Sequence, residues 1–112
     1  MIPSTINRLM IAVVQDQDVE SAVRALQKYK ISLTRLPSSG GFLGRRNTTL
    51  ILGIPDDLEA TTLKALSRSC RTRIEYITMP LEGTPLALPA PTPISVGGAT
   101  VFLFNIERYE VI

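Results

Sequence analysis

The chain contains no histidine and no tryptophan, and it has one cysteine among its 112 residues. Histidine is the usual general base near neutral pH and the commonest metal ligand, so its absence argues against an enzyme and against a metal centre. A lone Cys70 provides neither a disulfide framework nor a cysteine-based metal site, and we expect it to be a small core residue on a helix. The sequence therefore predicts a protein without catalytic activity, cofactor or metal.

Long hydrophobic runs are also missing. No apolar stretch approaches the roughly 20 residues that cross a bilayer, and residues 1–5 lack the basic and apolar regions of a secretion signal. We expect a cytoplasmic protein with no membrane partner. Because 45% of the residues are hydrophobic and no block is strongly polar, residues 1–112 are predicted to form a single folded domain.

The chain also has little excess of positive over negative charge. Twelve basic and ten acidic residues leave a net charge of +2, and the basic residues are spread along the chain, which argues against a nucleic-acid partner. The carboxylates cluster at Asp16 and Asp18 and again at Asp56, Asp57 and Glu59, each time where a helical pattern begins. Helix capping and interaction with the helix dipole account for both clusters, and Asp56 with Glu59 resembles a capping box.

The hydrophobic pattern divides the chain into two similar halves. Each half reads as strand, helix, strand, and one further strand follows a long connection. The predicted strands are residues 8–14, 31–36, 48–54, 71–78 and 99–104, and the predicted helices are 18–29 and 55–70. This order predicts an α+β protein with a split βαβ, ferredoxin-like sandwich.

The connection at about residues 79–95 contains five prolines, which remove strand hydrogen-bond donors and disfavour helix. We expect an extended, mobile loop there. A flexible connector is one interpretation, and a lid or a partner-binding segment is the other.

Apolar residues occupy both faces of the predicted sheet. The first, third and last strands show no alternation between polar and apolar positions. Two helices can cover only one face, so the other would expose a larger apolar patch than monomers tolerate. We therefore expect an oligomer of three or more copies around an axis, with clefts at the subunit boundaries.

A glycine-rich loop at about residues 37–47 is the strongest candidate for a binding site. Its glycines, Gly41 among them, allow backbone amides to approach phosphate oxygens, and Arg45 or Arg46 adds a charge partner. Phe42 offers a stacking surface, and the Asn47 carboxamide has the donor and acceptor that a base edge requires. An ordinary turn between two strands is the alternative.

Ordered blocks over nearly the whole chain resemble one family, the PII-like cyclic-di-AMP receptors, which are relatives of the PII signal transduction proteins. The blocks are residues 13–18, the loop 40–43, Asn47-Thr48-Thr49, Gly53 and 96–102. The resemblance implies a homotrimer of PII-like, ferredoxin-like subunits that binds a cyclic dinucleotide between neighbours. It further implies signalling by loop rearrangement to a target protein that the sequence does not identify.

The resemblance also implies roles for individual residues. Phe42 and Leu43 would pack on a base, Asn47 would recognise a base, Thr34 and Gly53 would form the pocket wall, and Gly41 and Thr48 would shape the loop. The chain departs from the family pattern at four positions. Lys30 and Ser32 replace an asparagine and an arginine, Arg46 replaces a glycine, and Val111 replaces a glutamine.

Three other functions remain open from the sequence. A trimer that has lost cyclic-di-AMP would bind ATP or ADP, or act as a constitutive scaffold. An RNA-binding domain of this fold would need aromatic residues on its central strands, where leucine, isoleucine and valine dominate. An enzyme would need an activated nucleophile or base, which the serines at 38 and 39 lack without histidine.

Overall fold

A computed structural model describes residues 6–37, 46–78 and 91–112 of the chain. It contains two helices and six strands. In chain order they are β1 (Arg8–Gln15), α1 (Asp16–Gln27), β2 (Leu33–Pro37), β3 (Asn47–Ile54), α2 (Glu59–Ser69), β4 (Arg73–Thr78), β5 (Pro91–Val96) and β6 (Ala99–Asn105). A short 3-10 turn, Asp56–Leu58, precedes α2. The α+β class predicted from the sequence is confirmed, and each predicted element is present to within a few residues.

The main sheet is antiparallel and has the strand order β2-β3-β1-β6. The central strands pair over their full length, from Arg8 opposite Ile54 to Gln15 opposite Asn47. The second βαβ unit departs from the predicted sandwich, because β4 does not join this sheet. β6 takes the edge beside β1, and β4 pairs with β5 in a separate two-stranded sheet.

The core lies between the sheet and the two helices. Alternate residues of β1 and β3 are completely buried, namely Met10, Ala12, Leu50, Leu52 and Ile54. The predicted apolar face of α1 packs on them, with Val19, Ala22, Val23 and Leu26 all buried. Full burial of a leucine, isoleucine or methionine side chain contributes about 1.5–3 kcal/mol, so this layer supplies most of the driving force for folding.

Among the described residues, no helix covers the other face of the main sheet. In the strand register it carries Leu9 and Ile11 of β1, together with Phe102 and Phe104 of β6. Both phenylalanines are 49% exposed. The prediction of two apolar faces with one left open is therefore confirmed.

The helix starts differ from the sequence-based expectation. The residue before α1 is Gln15, which makes no side-chain cap, and the helix begins at Asp16, two residues earlier than predicted. Asp16 and Asp18 lie in the first turn of α1, as the predicted interaction with the helix dipole requires, but they are not caps, because their carboxylates bond Thr48 and Arg73. The predicted capping box of Asp56 and Glu59 is also wrong. The N-cap residues of the 3-10 turn and of α2 are Pro55 and Leu58, and neither makes a side-chain cap hydrogen bond.

The predicted loop at residues 79–95 ends earlier than expected, because 91–96 is a strand. Its remaining residues, 79–90, lie outside the described part of the chain. No helix in the described part is both long and apolar enough to span a bilayer.

Candidate functional site

Four of the nine predicted ligand-binding residues, Gly41, Phe42, Leu43 and Arg45, fall in 38–45, outside the described residues. The other five, Thr34, Arg46, Asn47, Thr48 and Gly53, lie on or beside β2 and β3. These two strands pair antiparallel, with Pro37 opposite Thr48, so the glycine-rich segment joins them at one end of the main sheet.

The C-terminal base of the glycine-rich segment is fixed to the start of α1. The backbone N–H of Asp16 donates to the carbonyl oxygen of Arg46 at 3.0 Å. The Thr48 hydroxyl donates to Asp16 Oδ1 at 2.7 Å, and Thr48 is only 5% exposed. Thr48 therefore lies on the helix side of β3, where it holds the segment in place. The Arg46 side chain is exposed at the same end of the sheet.

Asn47 occupies the opposite face of β3 from Thr48, because successive residues of a strand point to opposite faces. It is partly buried and pairs across the sheet with Gln15. Gly53 lies on the same face, six residues further along β3, which corresponds to about 20 Å of strand. Asn47 and Gly53 thus mark the two ends of β3 on the uncovered sheet face.

Thr34 and Gly53 lie together in a groove of about 290 Å³ at the far end of this face. All four strands of the main sheet, or the segments next to them, contribute to it. Its lining consists of Ile6, Leu9, Ser32, Leu33, Thr34, Ile51, Gly53, Ile106 and Tyr109. The groove is mostly apolar, with hydroxyl groups at Ser32, Thr34 and Tyr109. Such a lining suits a planar apolar group that carries a few polar atoms at its edge.

Gly53 is favoured at its position by close packing against a side chain. A Cβ atom placed there would lie 3.0 Å from Cγ2 of Ile6, closer than ordinary van der Waals contact. A glycine allows Ile6 to pack directly on β3. The groove surface is therefore formed by backbone at this point.

The β4–β5 hairpin is fastened to α1 by an ion pair whose carboxylate is buried. Arg73 Nη2 donates to Asp18 Oδ1 at 2.9 Å, and Nη1 donates to Asp18 Oδ2 at 3.4 Å. The Asp18 side chain is 5% exposed. The hydrogen bonds to Asp18 raise the pKa of Arg73 above its usual value.

Two glycines connect β5 to β6 beside the same helix start. Gly97 and Gly98 have φ angles of 87° and 86°, and a Cβ on Gly97 would lie 2.2 Å from the carbonyl oxygen of Arg71. No other residue fits at Gly97. Its N–H donates to Gln15 Oε1 at 2.8 Å. Gln15 therefore joins the β5–β6 turn to the junction of β1 and α1.

Sequence reasoning did not identify Gln15, Asp16 or Asp18 as linking residues, because their partners lie 82, 32 and 55 residues away. It also missed Tyr109 as a groove residue. An aromatic side chain within a charged C-terminal segment was the one available signal.

Cys70 is buried where α2 ends, as predicted. Burial, together with the nearby Asp18 carboxylate, raises the pKa of its thiol from 9.0 to about 11. The thiol is therefore protonated and unreactive at neutral pH. Among the described residues, no three acidic or cysteine side chains come together as a metal site would require.

The fold, with two helices on an antiparallel sheet, is similar to that of a PII protein. CPII from Thiomonas intermedia K12, solved with ADP, AMP and acetate, has a TM-score of 0.56 and 12% identity, with 91% of this chain and 89% of CPII covered. A DUF3240 family protein from Shewanella baltica OS155 has the same TM-score at 14% identity, with coverages of 97% and 99%. These two likenesses define the fold class.

The particular family follows from the sequence. The family model described as cyclic-di-AMP receptor matches residues 7–112, and the chain belongs to this family. A protein of unknown function from Pediococcus pentosaceus resembles it over 96% of this chain and all of that one, with 29% identity and a TM-score of 0.74. The family resemblance predicted from the sequence is confirmed.

Proposed function

We propose that the chain is a non-enzymatic signal-transduction protein that binds cyclic-di-AMP between the subunits of a homotrimer. Its membership of the cyclic-di-AMP receptor family is the observation that carries this proposal. The groove with Thr34 and Gly53 supports it, because it places two predicted pocket residues together. A cytoplasmic location fits a nucleotide messenger and a buried, protonated Cys70.

The uncovered sheet face supports the trimer. Half-exposed Phe102 and Phe104 lie there beside Leu9 and Ile11, and water contact at such a face is unfavourable. Three copies around an axis bury all three faces at once. The groove lies at the end of this face, so a neighbouring chain supplies its missing wall.

The two ends of β3 are proposed to hold different parts of the ligand in a cleft between two chains. Asn47 and Gly53 are about 20 Å apart along the strand. The two positions therefore contact different parts of a cyclic dinucleotide, which has two bases and two phosphates. Asn47 recognises one base, and the Thr34–Gly53 groove holds another. Arg45 and Arg46 bind phosphate, while Phe42 and Leu43 pack on a base.

Gly41 and Thr48 act on the ligand indirectly, by shaping the loop. The partly buried bond from Thr48 to Asp16 supports this role, because it directs the hydroxyl away from the face that carries Asn47. Removal of the bond would therefore change loop geometry more than ligand contact.

The signal passes through the start of α1. Asp16 bonds both Arg46 and Thr48 on the loop side, and the adjacent Gln15 bonds Gly97 on the side of the β4–β5 hairpin. A ligand that orders the loop changes the constraints on these two neighbouring residues. The hairpin, with residues 79–90 between its strands, then presents a different surface to a target protein. This switch requires that the ligand bind the two loop states unequally.

A second candidate ligand is a mononucleotide such as ATP or ADP. Lys30, Ser32, Arg46 and Val111 depart from the family pattern, and CPII, which has the same fold, was solved with ADP and AMP. A trimer that binds neither class of nucleotide would be a constitutive protein-interaction scaffold.

Thermal unfolding with cyclic-di-AMP, cyclic-di-GMP, ATP, ADP and AMP distinguishes these functions. A ligand at about 100 times its Kd stabilises the native state by about 2.7 kcal/mol. We expect the largest shift with cyclic-di-AMP. A larger shift with ATP or ADP would favour the second candidate, and no shift with any nucleotide would favour the scaffold.

The Asn47→Ala variant tests the base contact. We expect about a 10- to 100-fold increase in the Kd for cyclic-di-AMP, because one hydrogen bond to a buried or charged group contributes about 1.5–3 kcal/mol. Asn105→Ala is the matched control, since Asn105 is exposed at the end of β6 on the other sheet face. Equal affinities of Asn47→Ala and the native chain, measured by titration calorimetry, would exclude this role of Asn47.

A further inference from the structure

The C-terminal segment after β6 brings an aromatic side chain to the groove. The N–H of Ile106 donates to the carbonyl oxygen of Asn7 at 2.9 Å, which fixes the start of this segment beside β1. Tyr109 then lines the same groove as Ser32 and Thr34 of the β2 segment. β2 and β6 are opposite edges of the four-stranded sheet, three strand spacings or about 14 Å apart. The segment therefore extends across the sheet face to reach the groove.

The residues on either side of Tyr109 are held away from the groove. Arg108 Nε donates to Glu110 Oε1 at 3.0 Å, and the Arg108 side chain is 79% exposed. Neither residue lines the groove, whereas Tyr109 does. Of residues 108–110, Tyr109 is therefore the one that lines the groove.

The groove around Tyr109 has the chemistry of a slot for a heteroaromatic base. Its lining combines the apolar residues Leu9, Ile51 and Ile106 with Ser32 and Thr34, which carry hydroxyl groups. Tyr109 is 53% exposed, which leaves part of its side chain accessible to a planar partner. Any base can stack on an aromatic ring, whereas hydroxyl groups distinguish one base from another by the hydrogen-bond donors and acceptors along its edge.

We propose that Tyr109 stacks on a base of the bound nucleotide and that Ser32 and Thr34 hydrogen-bond the edge of the same base. Tyr109 thereby determines affinity for purine ligands at this end of β3. Ser32 supplies a hydroxyl in place of the arginine expected by resemblance. This inference rests on the proposed nucleotide function, and it adds a contact that the sequence-based assignment does not contain.

Substitutions at Tyr109 test the stacking contact by titration calorimetry with cyclic-di-AMP. Tyr109→Leu keeps apolar area but removes the aromatic ring, and we expect it to raise the Kd by about 5- to 150-fold. Tyr109→Phe keeps the ring, and its Kd should stay within about threefold of the native value. Tyr29→Leu is the matched control, because Tyr29 is similarly exposed, at 46%, but does not line this groove.

Fluorescence gives a second measurement that does not depend on affinity. The chain has no tryptophan, so Tyr109→Trp introduces a single indole at the groove. We expect saturating cyclic-di-AMP to quench its emission, because a stacked base lies against the indole ring. A Tyr29→Trp variant should show no quenching under the same conditions.

The outcomes separate this proposal from the function on which it rests. Native protein that binds no nucleotide would overturn both. Native protein that binds cyclic-di-AMP, with Tyr109→Leu binding equally well and Tyr109→Trp unquenched, would overturn the stacking contact alone. Unfolding midpoints of the unliganded variants confirm that the exposed substitutions leave the fold intact.

Discussion

At the scale of single residues, Lys30 stands out because its backbone is left-handed. Its φ angle is 57°, and it follows the end of α1, where the N–H of Lys30 bonds the carbonyl of Gln27. This conformation commonly ends helices, and glycine is the preferred residue because a Cβ atom is strained there. The family resemblance implies an asparagine at this position, and asparagine also tolerates the conformation.

Replacement of Lys30 by glycine should therefore stabilise the protein. We expect Lys30→Gly to raise the free energy of unfolding by about 0.5–1 kcal/mol. Lys28→Gly is the control, since Lys28 has a φ of −59° and should lose a similar amount of stability. Urea unfolding monitored by circular dichroism measures both. A destabilised Lys30→Gly would mean that the lysine side chain makes a contact that outweighs the backbone strain.

Sequence patterns predicted which residues form the core but not how the carboxylates are used. Val19 and Leu26 recur at helical spacing, and this local pattern was sufficient to place them. Asp16 and Asp18 also lie at a helix start, where capping is the common local role. Their actual partners, Thr48 and Arg73, are set by tertiary structure, which no local pattern encodes.

At the scale of elements, the β4–β5 hairpin depends on the Asp18–Arg73 ion pair. An isolated two-stranded hairpin is marginally stable, and this one is not part of the main sheet. Arg73 also donates to Glu75 at 3.2 Å within β4. One side chain thus connects the hairpin to the helix beneath it.

Loss of this ion pair should destabilise the hairpin first. We expect Asp18→Asn to lower the free energy of unfolding by about 2–3 kcal/mol, because it leaves Arg73 without its buried partner. Glu20→Gln is a matched control on the same helix. Glu20 pairs with Arg35 at 2.6 Å in an exposed position, which lowers the pKa of Glu20, and exposed pairs of this kind contribute little to stability.

Hydrogen exchange locates the effect of Asp18→Asn within the chain. In β4 and β5, amide exchange should accelerate more than the lower global stability explains. In β1 and β3, the acceleration should match the loss of global stability. Uniform acceleration over all strands would show that the ion pair has no special role in the hairpin.

The strand β5 was not predicted, because Pro91 and Pro93 argued against it. Both prolines lie on β5, and in the register they face Thr78 and Tyr76. Residues two apart direct their backbone nitrogens to the same edge of a strand. Among the described residues β5 pairs with β4 alone, and prolines are tolerated where their missing donors fall on the other edge. Composition alone could not reveal this arrangement.

At the scale of the whole molecule, the uncovered sheet face connects fold to function. The sequence predicted this face from strands without polar alternation, and the structure bears it out at Phe102 and Phe104. The groove at its end was only partly predictable, because Thr34 and Gly53 came from the family resemblance, whereas Tyr109 reaches the groove through the path of the C-terminal segment.

A charged residue on this face should prevent assembly. We expect Phe102→Asp to remain folded, since Phe102 is half exposed in the single chain, but to be monomeric and to bind cyclic-di-AMP at least tenfold more weakly. Lys64→Asp is a control at an exposed position on α2, on the helix side of the molecule. Light scattering at matched concentrations measures the oligomeric state of both variants.

Native mass spectrometry of the chain with cyclic-di-AMP tests the central claim most directly, because it reports assembly and ligand binding in one spectrum. We predict a complex of three chains with three nucleotides, and we predict that Phe102→Asp gives monomers without nucleotide. Trimers that carry no cyclic-di-AMP, or monomers that bind it as well as trimers do, would contradict a receptor whose sites lie between subunits.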